Sequence, residues 1–223
     1  LFYRMGDFYE LFFEDAESAS AALNITLTKR GKYNGKDIPM CGVPCHSAEN
    51  YLLNLIRKGF KVAICEQLEK PEDAKKRSYK AVVKRGVVRL ITPGTLTEEG
   101  LLSDNENNFL LAITKNDDSY SLAWADISTS EFYCRSTKKE YLPTLLNRIA
   151  PSEILISHSL REIVMRLNLD KKIIITSLPE QVFKNNLGQT YLEKFFKVKS
   201  LSILENFTNS EISSMAALLH YLE

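Results

Sequence analysis

The residues with the most distinctive chemistry stand near the start of the chain, where an apolar ring precedes a carboxylate by two positions. Phe8 and Glu10 lie in the stretch LFYRMGDFYELFFED, in which aromatic and large apolar residues flank Met5-Gly6-Asp7. A glycine-containing turn between segments of high β propensity predicts a hairpin. Side chains alternate between the faces of a strand, so Phe8, Glu10 and Phe12 share one face. The hairpin therefore presents a ring and a carboxylate together, just past a tight turn.

The other face of the same strand carries Tyr9, Leu11 and Phe13, and its composition predicts a core face. Judged by residue type alone, the ring of Phe8 would be buried and the carboxylate of Glu10 would be a solvated charge. The pattern by itself favours this ordinary interpretation over a functional one.

A second group with possible chemistry is Cys41-x3-Cys45-His46. A zinc site here would need a fourth ligand such as Cys65, and no second Cys/His pair follows, so small buried thiols are favoured. With Cys134, the chain has four cysteines and no disulfide framework, which is consistent with a reducing compartment. Adjacent His46 makes Cys45 a conceivable nucleophile, but no Ser/His/Asp or Cys/His constellation is present, and we predict no catalytic site.

Two further motifs indicate phosphate or metal chemistry without completing it. Gly31-x3-Gly35-Lys36 has one residue too few between its glycines for a phosphate loop, and Asp37 stands where Ser or Thr should hold magnesium. Asp126, in AWADIST, could be the first-strand carboxylate of a two-metal nuclease, but no later strand ends in a matching acid. Nuclease activity is an alternative that a magnesium-dependent cleavage assay would separate.

Basic residues are concentrated between positions 57 and 89, although the net charge of the whole chain is only +1. This clustering is typical of a phosphate-binding surface, and a solvated face rich in lysine is the alternative. Only four acids interrupt it, Glu66, Glu69, Glu72 and Asp73. The basic residues are Arg57, Lys58, Lys61, Lys70, Lys75, Lys76, Arg77, Lys80, Lys84, Arg85 and Arg89.

The composition is that of a globular protein, with 223 residues of which 44% are hydrophobic and 26% charged. This length accommodates one large domain or two of ordinary size. No apolar run approaches the ~20 residues of a membrane span. The sequence opens at Leu1 inside an apparent strand and without a methionine, so we expect it to be part of something longer.

The elements that must position these residues form a mixed α/β pattern. In the first half we predict helices at 14–23 and 48–58, strands at 25–28 and 60–67, and a strand pair or one long strand at 81–92. Loops are predicted at 29–37 and 70–78, and an irregular segment at 39–44. The acidic, amide-rich stretch 97–108 is the predicted linker. The second half has predicted strands at 109–114, 121–127, 131–136, 153–157 and 172–176 and helices at 141–149, 159–167, 189–196 and 209–223. Three antiparallel strands followed by alternating helix and strand are typical of a ribonuclease H-like domain.

The blocks FYRMGDFYELFFEDA, LTKRG, IPMCGVPCHSAENYL, VAICEQLE and VVRLITPGTLTEE resemble, in order and spacing, the start of the bacterial MutS family of DNA mismatch-repair proteins. FLLAIT, LAWADISTSEF and ILIS are more loosely similar to that family's connector domain. The resemblance implies an α/β fold in which a mixed-sheet mismatch-recognition domain (1–96) and the linker precede a ribonuclease H-like connector (109–205). The start of a helical core or lever domain follows (206–223).

The resemblance also implies a mechanism. The family's Phe-x-Glu motif falls on Phe8 and Glu10, so that the ring would wedge into the stack from the minor groove and the carboxylate would hydrogen-bond the mispaired base. Arg30 and Met40 resemble positions beside the DNA. Lys84 and Arg85 are candidates for phosphate contacts. Cys45 departs from the aromatic usual after PMxGVP, and Gly86 departs without an obvious consequence.

The partners that the resemblance implies are double-stranded DNA with mispairs or small loops, a second MutS subunit as a homodimer, and MutL, with no membrane. No cofactor is expected in this stretch, whereas ATP and magnesium belong to the full-length family protein, whose clamp and ATPase domains are missing here. A cytoplasmic, nucleoid-associated location is implied. An alternative function is a connector module that transmits nucleotide state or docks a repair partner such as MutL.

Overall fold

The computed structural model of the chain describes residues 1–78, 81–97, 107–167, 169–170, 172–184 and 188–223. The chain divides into two compact units, Leu1–Thr92 and Pro93–Glu223. Each unit contains one sheet with both parallel and antiparallel pairs together with helices, so the predicted mixed α/β class is confirmed. Most of the predicted linker at 97–108 lies outside the described residues, and the domain boundaries inferred from the sequence stay predictions.

The first unit is built on a six-stranded sheet with the order β3-β4-β2-β1-β5-β6, in which only β1 and β5 pair in parallel. Its strands are β1 (Phe2–Met5), β2 (Phe8–Phe12), β3 (Thr28–Tyr33), β4 (Lys36–Pro44), β5 (Val62–Gln67) and β6 (Arg85–Ile91). Its helices are α1 (Phe13–Leu23), α2 (Ala48–Arg57) and α3 (Pro71–Arg77).

The core of this unit lies on one face of the sheet. Leu11 of β2 and the facing Cys41 and Val43 of β4 are buried. Helix α1 can approach this face closely because its buried residues, Ala16 and Ala19, are small. Helix α2 contributes an apolar stripe from Leu52 to Ile56, as its periodicity predicts.

Four predictions for the first unit are wrong. The strand predicted at 25–28 does not form, because 25–27 lie outside any strand and Thr28 is the first residue of β3. The segments 29–37 and 39–44, predicted as a loop and an irregular stretch, form the hairpin β3–β4. Its turn residues, Asn34 and Gly35, both have positive φ, which matches the right-handed twist of the flanking strands. The charged loop predicted at 70–78 contains helix α3, which begins with Pro71 and has acids first and bases last.

The second unit is built on a five-stranded sheet with the order β11-β10-β7-β8-β9. Strands β7 (Phe109–Asn116), β8 (Ser119–Asp126) and β9 (Glu131–Lys138) are antiparallel. Strands β10 (Glu153–Ser157) and β11 (Ile174–Leu178) are added in parallel to β7. This is the arrangement predicted for a ribonuclease H-like domain, which is confirmed.

Helices cover both faces of this sheet. They are α4 (Leu142–Ile149), α5 (Arg161–Met165), α6 (Gly188–Phe196) and α7 (Asn209–Leu222). Leu111 and Ile113 pack with α4 and α5 on one face, and Leu110 and Ala112 pack with α6 and α7 on the other. Along β7, neighbouring residues therefore belong to different cores, which explains its continuous apolar run.

Helix α7 begins with a capping box, in which Thr208 and Glu211 satisfy each other's backbone groups. It packs against β7 and β8 of the second unit. Its assignment to a further helical domain stays a prediction. Among the helices that the structure describes, none is long and apolar enough to cross a membrane.

Candidate functional site

The turn between β1 and β2 fixes the position of Phe8. Gly6 has φ +62°, a conformation that glycine adopts without steric cost. Arg4 Nε donates a hydrogen bond of 2.6 Å to the carbonyl oxygen of Gly6, and the amide of Cys45 donates one of 2.9 Å to the carbonyl oxygen of Asp7. Phe8, the next residue, is 48% exposed although the turn around it is held from two sides.

The strand register groups the side chains beside Phe8 on the face away from the core. Glu10 of β2 faces Tyr3 of β1 on one side and Gly42 of β4 on the other. Phe12 of β2 faces Met40. Because directly opposed residues in a sheet point to the same face, Met40 and Tyr3 share the face of Phe8 and Glu10. We call this surface, defined by these residues with Gly42, the outer face.

The core face of β2 holds the strand in place. Leu11 is buried, and the hydroxyl of Tyr9 donates a hydrogen bond to the carboxylate of Glu66. Burial, and next the hydrogen bond to Glu66, raises the pKa of Tyr9. The Tyr9 ring also packs 5.6 Å from that of Phe2, with the Arg4 guanidinium 5.4 Å from its centroid.

The predicted separation of the two faces holds from Phe8 to Leu11 and is wrong at Phe13. Phe13 is the first residue of α1 rather than the last of β2, has φ +55° and is 51% exposed. Strand alternation ends where the helix begins, so it could not assign this ring to the core.

Glu10 is not the solvated charge that its residue type predicts. Its side chain is only 14% exposed, and the guanidinium of Arg30 in β3 forms an ion pair with its Oε2. Arg30 itself is 48% exposed. The ion pair joins strands that are not neighbours, since β4 lies between them. The register of β3 with β4 is irregular between Lys29 and Lys32, and such irregularities bend and twist a strand.

Gly42 is the residue at this site that sequence reasoning missed. A Cβ atom built on it would lie 3.4 Å from the carbonyl oxygen of Tyr9 and 3.8 Å from both the Phe8 ring and Glu10 Cγ, which are ordinary contact distances. The missing side chain therefore leaves a gap the size of a methyl group beside both residues. The alternation of Cys41 and Val43 with Met40 and Gly42 could have indicated it, had 39–44 been recognised as a strand.

Arg85 is the first residue of β6 and Lys84 directly precedes it, but the two differ in their surroundings. The Lys84 side chain is exposed. The Arg85 guanidinium instead donates 2.7 Å and 3.0 Å hydrogen bonds to the carbonyl oxygens of Arg4 and Val83. It also lies 5.2 Å from the ring centroid of Tyr3. Arg85 therefore packs against Tyr3, the outer-face residue that is paired with Glu10.

The basic segment between 57 and 89 has several internal partners. Nη1 and Nη2 of Arg77 each donate a hydrogen bond of 2.7 Å to the Glu69 carboxylate. The amide of Lys84 donates to the same carboxylate at 2.7 Å. These bonds, that from the Lys84 amide first, lower the pKa of Glu69. Lys76 contacts Asp73 at 2.8 Å. Lys80 lies outside the described residues. Lys76 and Arg77 are therefore paired with acids of the same segment, so part of its positive charge is neutralised internally.

The metal and nucleophile candidates have other contacts. In the described ranges, no group of three or more His, Cys, Asp or Glu side chains could hold a metal ion. Asp126 is buried, with one carboxylate oxygen accepting from the amide of Asn108 and the other from the amide and hydroxyl of Ser128. Burial raises the pKa of Cys45, and it raises the pKa of Cys134 to about 12. Gly31 and Gly35 lie in a β-hairpin, which does not fit a phosphate loop that opens a helix.

Comparison with known proteins covers the chain from end to end. Residues 1–100 match the family model described as MutS domain I, and residues 108–223 match MutS domain II. The DNA mismatch repair protein MutS of Ruegeria pomeroyi is 50% identical over 224 residues, and that of Wolbachia pipientis wMel is 47% identical over 224 residues. Each alignment covers 100% of this chain and 26% of the relative, so the chain spans about a quarter of the relatives' length.

Proposed function

Since the chain belongs to the MutS family, matching its domains I and II, we propose that it binds mispaired DNA in mismatch repair, with Phe8 and Glu10 contacting the mispair. The observation that carries this proposal is the half-exposed Phe8 ring beside a carboxylate on a firmly anchored strand. Exposed large apolar side chains are ordinary when scattered, but this ring is held by its turn and lies beside Glu10 and Gly42 on the outer face.

Phe8 acts as a wedge. Inserting an apolar ring between base pairs from the minor groove kinks the duplex and costs a few kcal/mol per unstacked step. The cost is smaller where the bases are already mispaired, so the ring enters more easily at a mismatch than in paired DNA. Deformability of the duplex, rather than a pattern of base-edge groups, then supplies most of the discrimination.

Glu10 contacts the displaced base. It projects from the same face two residues after Phe8, and its carboxylate supplies hydrogen-bonding oxygens at the position where the wedge opens the stack. Phosphates surround this position in a complex, so the negative charge disfavours ordinary duplex DNA unless a base compensates it. Gly42 supports this role, because it adds no side chain beside Phe8 and Glu10 that would obstruct a base.

Arg30, Met40, Lys84 and Arg85 flank the DNA in this proposal. Met40 lies on the outer face, and Arg30 reaches that face through Glu10. The exposed side chain of Lys84 supports a phosphate contact. Arg85 acts through Tyr3, since its guanidinium is engaged with the backbone and that ring.

For the whole protein, we propose from family membership that a second MutS subunit, MutL, ATP and magnesium complete the repair function. We assign the nucleotide chemistry of such a protein to parts outside domains I and II. The second unit is the connector, which transmits nucleotide state or docks MutL. Two results would favour this interaction role over mismatch binding. The second unit would bind MutL, and the first unit would show no preference for mispaired DNA.

The test is competition between mispaired and paired duplexes. It uses this chain at low salt and the full-length Ruegeria pomeroyi protein in which this chain replaces the matching quarter. Phe8→Ala is expected to abolish the preference for mispaired DNA, because the wedge is removed, while ATP hydrolysis by the chimera is retained.

Phe195→Ala is the matched control, since it removes a ring that is 50% exposed but lies in the second unit. It should leave the preference unchanged. A Phe8→Ala protein that still prefers mispaired DNA in the chimera would rule out the wedge.

A further inference from the structure

The ion pair between Arg30 and Glu10 joins two residues that the proposed function uses separately. Glu10 is meant to contact a base and Arg30 to flank the DNA, yet in the DNA-free protein each is the other's partner. While the ion pair persists, Arg30 neutralises the charge of Glu10 and Glu10 that of Arg30, so a phosphate gains less from the guanidinium and Oε2 of Glu10 is occupied. Full use of both groups by DNA therefore requires an exchange of partners.

The surroundings of the ion pair make this exchange directional. Glu10 is mostly covered, so removing Arg30 without supplying another partner leaves a poorly solvated carboxylate. Arg30 is half exposed and lies on the edge strand β3, where its guanidinium can turn to solvent or to a phosphate at little cost. A paired duplex offers Glu10 no base displaced by the wedge, so the ion pair is expected to persist there.

We propose that Arg30 is a switched phosphate contact. It neutralises Glu10 in the DNA-free protein and on paired DNA, and it moves to a DNA phosphate when Glu10 takes up a mispaired base. The exchange rests on the proposed function of Glu10. It adds a second basis for discrimination, because the phosphate contact forms only when a base has replaced the guanidinium.

The salt dependence of binding measures this exchange. Each phosphate contact on duplex DNA adds about 0.9 to the slope of log K against log salt concentration. Binding of mispaired DNA should therefore have a slope steeper by about 0.9 than binding of paired DNA. The difference should vanish in Arg30→Gln. In Glu10→Gln, the slope for paired DNA should rise to that for mispaired DNA, because the guanidinium is released on both.

Two variants separate this switch from a fixed anchor. Arg30→Lys keeps a cation that can still exchange partners, so it should retain the difference in slope. Lys32→Gln is the control, because it removes a charge from the same exposed strand. It should change the slopes for mispaired and paired DNA by the same amount, so the difference between them should remain. A fixed phosphate anchor at position 30 would lower both slopes equally in Arg30→Gln, with or without Glu10, and would overturn the proposal.

A DNA-free measurement distinguishes this inference from the function on which it rests. The guanidinium NMR resonances of Arg30 should shift in Glu10→Gln and not in Phe8→Ala. An unchanged Arg30 spectrum in Glu10→Gln overturns the ion pair itself. If the ion pair does not exist, Phe8→Ala should still abolish the preference for mispaired DNA. If instead Phe8→Ala leaves that preference unchanged, the proposed function fails, but the Arg30 resonances should still shift in Glu10→Gln.

Discussion

At the scale of single residues, the proposed function makes Glu10 a residue for selectivity rather than affinity. Glu10 lies beside Gly42 and is neutralised by Arg30. In this proposal it gains no base contact on paired DNA, so its value lies in the difference in affinity between mispaired and paired duplexes.

The prediction at this scale concerns Glu10→Gln. The amide keeps hydrogen-bonding groups without the charge and releases Arg30, so paired DNA should bind as tightly as before or tighter. The preference for mispaired DNA should fall accordingly, as measured by anisotropy titrations with both duplexes in the chimera. If mispaired DNA instead lost most of its affinity, the charge of Glu10 itself would be needed.

At the scale of elements, Glu69 ties the beginning of the segment 70–84 to its end. Its carboxylate accepts from Arg77 in α3 and from the amide of Lys84 just before β6. This clamp joins α3 to the backbone of Lys84, the candidate phosphate contact.

A pH titration tests the clamp. The folded pKa of Glu69 lies below its ordinary value of 4.5, so the clamp contributes stability above that value and loses it as the pH falls through the folded pKa. The NMR amide shift of Lys84 should therefore titrate with a midpoint below 4.5. Glu69→Gln should remove this titration. A midpoint at or above the ordinary value would contradict the clamp.

At the scale of the whole chain, a buried carboxylate organises the second unit. Glu153 accepts hydrogen bonds from the amide of Gly94 at 3.1 Å, from the hydroxyl of Thr176 and from the hydroxyl of Tyr221 at 2.9 Å. It thus joins the first residues of the unit, two parallel strands and the last helix. A Cβ atom on Gly94 would lie 2.9 Å from Glu153 Cβ, besides 2.7 Å from Leu110 Cδ1, so the absence of a side chain allows this close approach.

Glu153→Ala should destabilise the second unit by about 3 kcal/mol, because several buried donors lose their acceptor. Trp124 is the only tryptophan of the chain and lies in β8, so its fluorescence during urea unfolding reports this unit alone. Tyr221→Phe removes one hydroxyl and should cost about 1 kcal/mol. Equal stability of Glu153→Ala and the unsubstituted chain would show that the network contributes nothing.

The sequence by itself determined the local structure and the family. Strand alternation put Phe8 and Glu10 on one face, and helical periodicity placed α2 and α4 within a residue or two of their ends. Signals of this kind depend on neighbours a few positions apart, and they survive in any context. They failed for β3, β4 and α3, where charge and irregular composition concealed a turn and a helix.

Only the tertiary structure decided which side chains meet. Arg30 and Glu10 are 20 residues apart, Arg85 and Arg4 are 81 apart, and Glu153 and Tyr221 are 68 apart. The contacts between them depend on the order and register of strands that pair across the chain, and local propensity carries no information about that order. The sequence therefore identifies the ring and the carboxylate, whereas the fold determines that the carboxylate already has a partner.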